Sequence, residues 1–180
     1  MKHRIHISVL GLLLASNVMA AGNEVSAVPE ASLSPDPSTQ LASTEVQQVV
    51  NWVLESGDNG RLPFLLVDKV NAKVYVFNAA GQLQGAAAAL LGMARGDHSI
   101  PGIAGRPLSQ ISVKDRVTPA GRFVSSLSYD KSGKQILVVD YQEALSLHPV
   151  VKGTPAEHRA ERLQSVTAQD NRISFGCINV

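Results

Sequence analysis

The sequence has few aromatic residues, a single cysteine and no strong charge of either sign. Aromatic residues make up only 4% of the 180 residues, so the core must rest on Val, Leu, Ile and Ala. One cysteine excludes an intramolecular disulfide, so covalent stapling does not explain why the thiol is present. A formal net charge of +1 gives no electrostatic reason to expect a nucleic-acid partner. Hydrophobic residues still make up 44% of the chain, which predicts a globular protein with one domain.

Residues 1–20 have the three parts of a secretory signal peptide. A basic start, Lys2-His3-Arg4, is followed by a short apolar run over residues 7–15 that cannot span a bilayer. Val18-Met-Ala20 offers small or tolerated residues at the cleavage positions, so we expect cleavage after Ala20. An uncleaved signal anchor is the alternative. The pattern predicts export to the periplasm and no membrane span after cleavage.

The rest of the chain divides into a linker and one folded unit. Residues 21–42 are rich in Ala, Ser, Pro and Glu and predict a flexible linker. Residues 43–180 predict a mainly β domain with flanking helices, an α+β class. We expect a helix over 44–56, capped at Thr44, and a second helix over 156–164, capped at Thr154 with Glu157 completing a capping box. The expected strands are 64–68, 73–77, 83–93, 123–129, 135–141, a strand ending at residue 148, and a last strand beginning near residue 172.

A long loop is expected over residues 95–121, which are rich in glycine and proline. Arg95, Arg106 and Arg116 lie in this loop and would either bind substrate carboxylates or be solvated. Arg106, Arg122 and Arg172 are the weaker candidates for substrate binding.

Cys177 and His148 are the candidate nucleophile and base. A free cysteine is often a small buried hydrophobe, but polar and small residues surround this one in the run from Arg172 to Val180. His148 is predicted to end a strand, a position that a scaffold can hold in place. Ser146 and Asp140 are both close enough in sequence to orient its ring. After the expected cleavage, three dispersed histidines and one thiol remain, and these do not make a metal site.

Two sequence elements occur together and in order: Thr118-Pro-Ala-Gly-Arg-Phe123 and Arg172-Ile-Ser-Phe-Gly-Cys-Ile-Asn-Val180. With a strand start at residues 65–68 and a strand ending in His148, they resemble the L,D-transpeptidase catalytic domain (YkuD-like) family over roughly residues 63–180. The resemblance implies a β-rich catalytic fold and acyl transfer on peptidoglycan stem peptides, with no cofactor and with susceptibility to carbapenem acylation.

The same resemblance implies roles for individual residues. Cys177 would be the nucleophile and His148 the base. Ser174, Phe175 and Gly176 would line the site, the backbone N–H groups of Gly176 and Cys177 would form the oxyanion hole, and Asn179 would occupy the Asn/Arg position of the family pattern.

The chain departs from the family pattern at three points. Phe175 replaces a frequent histidine, and an apolar ring on the face of the thiol would raise the thiol pKa. Pro149 follows the histidine, where glycine is common. The sequence ends soon after Cys177, which we interpret as a truncated product or as a site open on one side. These departures favour an alternative hypothesis, a catalytically weak or inactive wall-associated protein that binds peptidoglycan. A thiol hydrolase on the same scaffold is a third hypothesis.

Overall fold

The structure, a computed structural model, describes residues 42–180. The predicted signal peptide and all of the predicted linker except Ala42 lie outside the described residues. The described part is mainly β with two α-helices, which confirms the expected α+β class. The helices are α1 (Thr44–Ser56) and α2 (Arg159–Gln164), and the strands are β1 (Phe64–Asp68), β2 (Lys73–Phe77), β3 (Leu83–Ala88), β4 (Leu91–Gly92), β5 (Ser126–Tyr129), β6 (Gln135–Asp140), β7 (Leu145–His148), β8 (Arg172–Ser174) and β9 (Ile178–Asn179).

The strands form three sheets. An antiparallel meander has the order β1-β2-β3, and a four-stranded mixed sheet has the order β5-β6-β7-β9. The third sheet is a short parallel pair of β4 and β8. The last strand is hydrogen-bonded on two sides, because Asn179 pairs with Leu90 through both backbone groups while β9 runs parallel to β7. This double pairing joins the two halves of the chain.

Two apolar clusters hold the sheets in place. The central cluster contains Ala72, Val74, Ala89, Leu91, Leu145 and Ile178, so it takes residues from both the meander and the mixed sheet. The second cluster lies between α1 and the meander, where Val46 packs over Tyr75 and Phe77. The Phe77 ring stacks on Phe64 with centroids 5.1 Å apart. Phe64 and Phe77, two of the few aromatic residues, thus form part of the surface on which α1 packs.

Both predicted helices start differently from expectation. Helix α1 is capped one residue earlier, by the Ser43 hydroxyl, which accepts from the backbone N–H of Val46. The predicted helix over 156–164 is wrong as one element. A 3-10 turn, Pro155–Glu157, is separated from α2 by His158, which has a left-handed φ of 46°. Thr154 makes no side-chain cap, because the Glu157 carboxylate binds the Arg159 Nε instead of completing a capping box.

Three predicted strands and the predicted loop also change. The expected strand over 83–93 is two strands, since the buried residues Ala89 and Leu90 carry the chain out of the meander toward new partners. The strand expected over 123–129 begins only at Ser126, and the strand expected over 135–141 ends at Asp140. The loop over 95–121 contains three short 3-10 turns: Ile103–Gly105, Leu108–Gln110 and Val113–Asp115. Among residues 42–180, no helix has the length and apolar character needed to cross a bilayer.

Gly92 allows β4 to lie directly against the end of the long loop. A Cβ at this position would be 2.3 Å from the carbonyl oxygen of Arg116 and 2.7 Å from the backbone nitrogen of Thr118. Both are backbone atoms, so a side chain could be accepted only if the two segments moved apart. The close approach lets the Gly92 N–H donate to the Thr118 hydroxyl at 2.8 Å.

We therefore expect Gly92→Ala to destabilise the fold by about 1–3 kcal/mol, the usual cost of overpacking a tight site. Urea unfolding followed by circular dichroism would measure this as a lower transition midpoint. Gly85→Ala in β3 is the matched control, because nothing lies within 4 Å of a Cβ at Gly85. Equal losses in the two variants would contradict the role given to the Gly92 contact.

Candidate active site

Parallel pairing of β7 with β9 brings the candidate nucleophile and base together. Leu147 lies opposite Ile178 and His148 lies opposite Asn179, so one residue earlier Ser146 faces Cys177. The Ser146 hydroxyl donates to the Cys177 Sγ at 3.4 Å. His148 projects from the same face of β7 as Ser146, since alternate residues of a strand point the same way.

The His148 ring is oriented by a backbone carbonyl. Its Nδ1 lies 2.8 Å from the carbonyl oxygen of Pro149, which can only accept, so this contact selects the Nδ1–H form and leaves Nε2 for the thiol. The backbone at His148 is held as well, because its carbonyl accepts from the Val180 N–H at 3.1 Å. Asp140, considered above as a residue that could orient the His148 ring, instead accepts hydrogen bonds from the backbone N–H groups of Gln142 and Glu143.

Burial and hydrogen bonding shift the pKa of the Cys177 thiol in opposite directions, and the hydrogen bonds have the larger combined effect. Burial raises the pKa of Cys177, but hydrogen-bond interactions with His148 and Ser146 lower it, and the net pKa lies below the usual thiol value. Hydrogen bonding with Cys177 raises the pKa of His148 above its usual value, against the lowering effects of burial and of the Arg159 charge. Both shifts favour a thiolate next to an imidazolium, which is the reactive form of such a pair.

Residues 174–177 form a turn that carries the candidate nucleophile, here called the nucleophile turn, and Gly176 determines its backbone conformation. Its φ is 135°, and a Cβ there would be 2.8 Å from the carbonyl oxygen of Val117. The Ser174 hydroxyl accepts from the Gly176 N–H at 3.1 Å and donates to the Cys177 carbonyl at 2.6 Å. The predicted oxyanion donor at Gly176 is therefore already used inside the turn, and the Cys177 N–H is the remaining backbone candidate.

Asn179 supports the turn and does not line an open site. It is 1% exposed, and its Nδ2 donates to the Cys177 carbonyl at 3.2 Å. Its Oδ1 accepts from the Arg159 Nη1 at 3.4 Å. Ser174 is 3% exposed and has the same supporting character. The expectation that both would face substrate is thus replaced by a structural role, because their polar atoms are bonded to the turn itself.

Thr118 ties the nucleophile turn to the first half of the chain. Its hydroxyl donates to the Gly176 carbonyl at 2.7 Å and accepts from the Gly92 N–H. The side chain is 2% exposed. The segment that begins at Thr118 was recognised as a motif in the sequence. Its contact with Gly176 was not predicted, because the two residues are brought together only by the fold.

Phe175 does not share a regular strand face with Cys177. Strand β8 ends at Ser174, and the unusual φ of Gly176 interrupts the alternation on which that expectation relied. The ring packs instead under Arg116, whose guanidinium carbon lies 3.8 Å from the ring centroid. Burial is the largest single effect on the thiol pKa and raises it, but the hydrogen bonds with His148 and Ser146 together outweigh burial, so the net pKa is lowered.

The three arginines named for substrate binding each have another partner. The Arg122 Nε binds the Asp58 carboxylate at 2.7 Å, and the Arg172 Nη2 donates to the Lys69 carbonyl at 2.8 Å. Arg106 is exposed and reaches the Pro101 carbonyl of its own loop at 3.5 Å. Arg116 is the loop arginine that lies against the nucleophile turn, through its contact with Phe175.

A cavity of about 580 Å³ lies between α1, β1 and the mixed sheet. Leu147 and Ile178 line it, and they point to the opposite face of the sheet from His148 and Cys177. This cavity is therefore separate from the candidate site. Within residues 42–180, no three His, Cys, Asp or Glu side chains are grouped as a metal ion would require.

Comparisons of the chain with protein-family models, with curated proteins and with solved structures found no match.

The raised His148 pKa and the lowered Cys177 pKa lead to a prediction about pH. Thiolate is the reactive form, so iodoacetamide should modify the wild-type thiol with a midpoint below that of an ordinary cysteine. His148→Gln removes the cationic partner and leaves burial in place, so the midpoint should rise and the rate at pH 7 should fall about tenfold per pKa unit. Alkylation rates between pH 5 and 10 provide the measurement.

His158→Gln is the matched control, because that side chain is 65% exposed on another segment. The assigned pairing would be refuted by a His148→Gln profile that superimposes on the wild-type profile.

Proposed function

We propose that this protein is a periplasmic cysteine acyltransferase of the L,D-transpeptidase type, acting on peptidoglycan stem peptides. The observation that carries the proposal is the Cys177–His148 pair, with a lowered thiol pKa, a raised histidine pKa and a ring oriented by the Pro149 carbonyl. A buried structural cysteine has no use for such an arrangement. The periplasmic location rests on the signal-peptide pattern of residues 1–20.

The two segments that carry the family resemblance are in contact, which supports the proposal. Thr118 begins one segment, and its hydroxyl donates to the carbonyl of Gly176 in the other. Gly176 itself needs its positive φ and the missing side chain to lie against Val117. These constraints give a physical reason for the threonine of one motif and the glycine of the other.

In the first half of the reaction, the Cys177 thiolate attacks the carbonyl carbon that precedes a D-amino acid in the stem peptide. The tetrahedral intermediate carries a negative oxygen, for which the Cys177 N–H is the backbone donor left free by the turn. Collapse of the intermediate breaks the C–N bond, and the His148 imidazolium gives its proton to the departing amine. A thioester on Cys177 and a neutral His148 remain.

In the second half, an acceptor amine attacks the thioester carbon. Neutral His148 takes the proton of the attacking amine, and the C–S bond breaks to restore the thiolate and the imidazolium. An amine from a second stem gives a cross-link, and water gives hydrolysis. No ATP, metal or other cofactor is needed for either half.

Arg116 is the arginine that we assign to the substrate carboxylate, in place of Arg106, Arg122 and Arg172. Its Nε donates to the Ile111 carbonyl at 3.2 Å and its guanidinium carbon lies 3.8 Å from the centroid of the Phe175 ring, so two contacts hold the guanidinium in place. Stem peptides end in a carboxylate, which a fixed guanidinium binds well.

The second candidate function is a catalytically weak or inactive peptidoglycan-binding protein of the same type. The observation in its favour is the Gly176 N–H, which is bonded to Ser174 and so is lost to the oxyanion hole. Losing one such donor costs about 10²–10³-fold in turnover.

Acylation by a carbapenem distinguishes the two candidates. An active enzyme should open the lactam ring with Cys177 and gain the mass of one inhibitor, detected by intact-mass spectrometry. Cys177→Ala should show no gain, and His148→Ala should acylate about 10²–10⁴-fold more slowly. Absence of an adduct in the wild type, with iodoacetamide still modifying the thiol, would favour the binding protein.

Arg116→Gln should weaken the use of stem peptides without changing alkylation of the thiol. A hydrogen bond to a charged group contributes roughly 1.5–3 kcal/mol, so loss of this charge-assisted contact predicts a rise in KM of about 10- to 150-fold. Arg106→Gln removes the same charge from an exposed loop position and is the control. Identical KM values for the two variants would remove Arg116 from substrate binding.

A further inference from the structure

We infer that Ser146 is a second hydrogen-bond donor to the Cys177 thiolate and holds its Sγ toward His148 during acyl transfer. The inference deepens the proposed function and concerns the same site. Ser146 is a positioning residue in this account, since it acts through the sulfur and not on the substrate.

The contact follows from strand register. Parallel pairing sets Leu147 opposite Ile178, which places Ser146 directly across from Cys177. The hydroxyl then lies 3.4 Å from Sγ, within hydrogen-bond reach of a sulfur acceptor. Ser146 is half-buried, so the contact is shielded in part from competing water. A strand position of this kind is fixed by the backbone and does not depend on a flexible loop.

The neighbouring carbonyl explains why a second donor matters. The Cys177 Sγ lies 3.5 Å from the carbonyl oxygen of Ala144, to which a protonated thiol can donate. A thiolate has no proton to give, so this carbonyl favours the protonated thiol. Ala144 has a left-handed φ of 49°, at the turn that leads into β7. Ser146, two residues further along, has the opposite preference, because its O–H donates a stronger hydrogen bond to a charged thiolate than to a neutral thiol.

Few charged groups act on this pair. His148 is the titratable neighbour of the thiol, and it lies two residues from Ser146 on β7. Arg159, at the start of α2, lowers the pKa of His148, and its guanidinium donates to the Glu157 carboxylate at 2.7 Å and to the Asn179 Oδ1 at 3.4 Å. Ser146 itself carries no charge and does not titrate between pH 4 and 10. A change in the thiol's pH profile on replacing Ser146 would therefore report the hydrogen bond and not a new charge.

The test uses iodoacetamide on the full chain, whose single cysteine makes the labelled position unambiguous. Ser146→Ala should lower the alkylation rate at pH 7 about tenfold and move the midpoint of the profile up by about one pH unit. Ser128→Ala, on β5 of the same sheet, should leave the profile unchanged. A Ser146→Ala profile identical to that of the wild type would overturn the inference and leave Ser146 as a packing residue.

A pair of isosteric variants covers the case in which Ser146→Ala folds poorly. Ser146→Thr keeps the hydroxyl and Ser146→Val replaces it with a methyl group, and both residues suit a strand. The inference requires the threonine variant to keep the wild-type profile and the valine variant to shift it. Equal profiles for the two would overturn it. Alkylation needs no peptidoglycan. A wild type that stem peptides fail to acylate, with Ser146 variants that still shift the alkylation profile, would therefore reject the proposed function alone.

Discussion

The candidate site depends on the position of β9, a strand of only two residues that pairs on both sides. Parallel bonds to β7 set the register of Cys177 against Ser146 and His148, and the bridge from Asn179 to Leu90 fixes the other edge. No side chain of the site has to find its partner through a flexible loop. Backbone pairing positions these side chains, and one of the pairings joins Leu90 to Asn179, more than eighty positions apart in sequence.

The side chains then decide the chemical state of the thiol. Burial alone would keep the sulfur protonated and inert, as in most buried cysteines. Here a histidine and a serine on alternate positions of one strand reverse that preference. The histidine is in turn held by the carbonyl of a proline, so the residue that removes a backbone N–H from this strand end supplies the acceptor that fixes the ring.

Much of the secondary structure could be predicted from the sequence, because the spacing of apolar residues and the residue types of turns depend only on neighbouring positions in the chain. The helix near residues 44–56, the first two strands and the strand end at His148 follow from apolar spacing and glycine or asparagine turns. The single strand expected over 83–93 failed, because the chain exchanges one neighbouring strand for another at Ala89, which only the tertiary fold decides. For the candidate site, the sequence pointed to two residues that the structure brings together, Cys177 and His148, but not to the contacts around them. Cys177 and His148 were evident as chemistry, whereas the pairing of Ser146 with Cys177 depends on strand register across thirty-one positions.

The Thr118 hydroxyl connects β4 of the early chain to the nucleophile turn of the late chain through one donated and one accepted hydrogen bond. A link of this kind leaves the turn little freedom to open by itself, because opening would strand a buried hydroxyl and two backbone groups. We therefore expect the turn to open only together with the surrounding fold, as one cooperative unit, and not as a mobile lid. In evolutionary terms, selection for a stable domain would preserve the geometry around the thiol whether or not the thiol acts as a nucleophile.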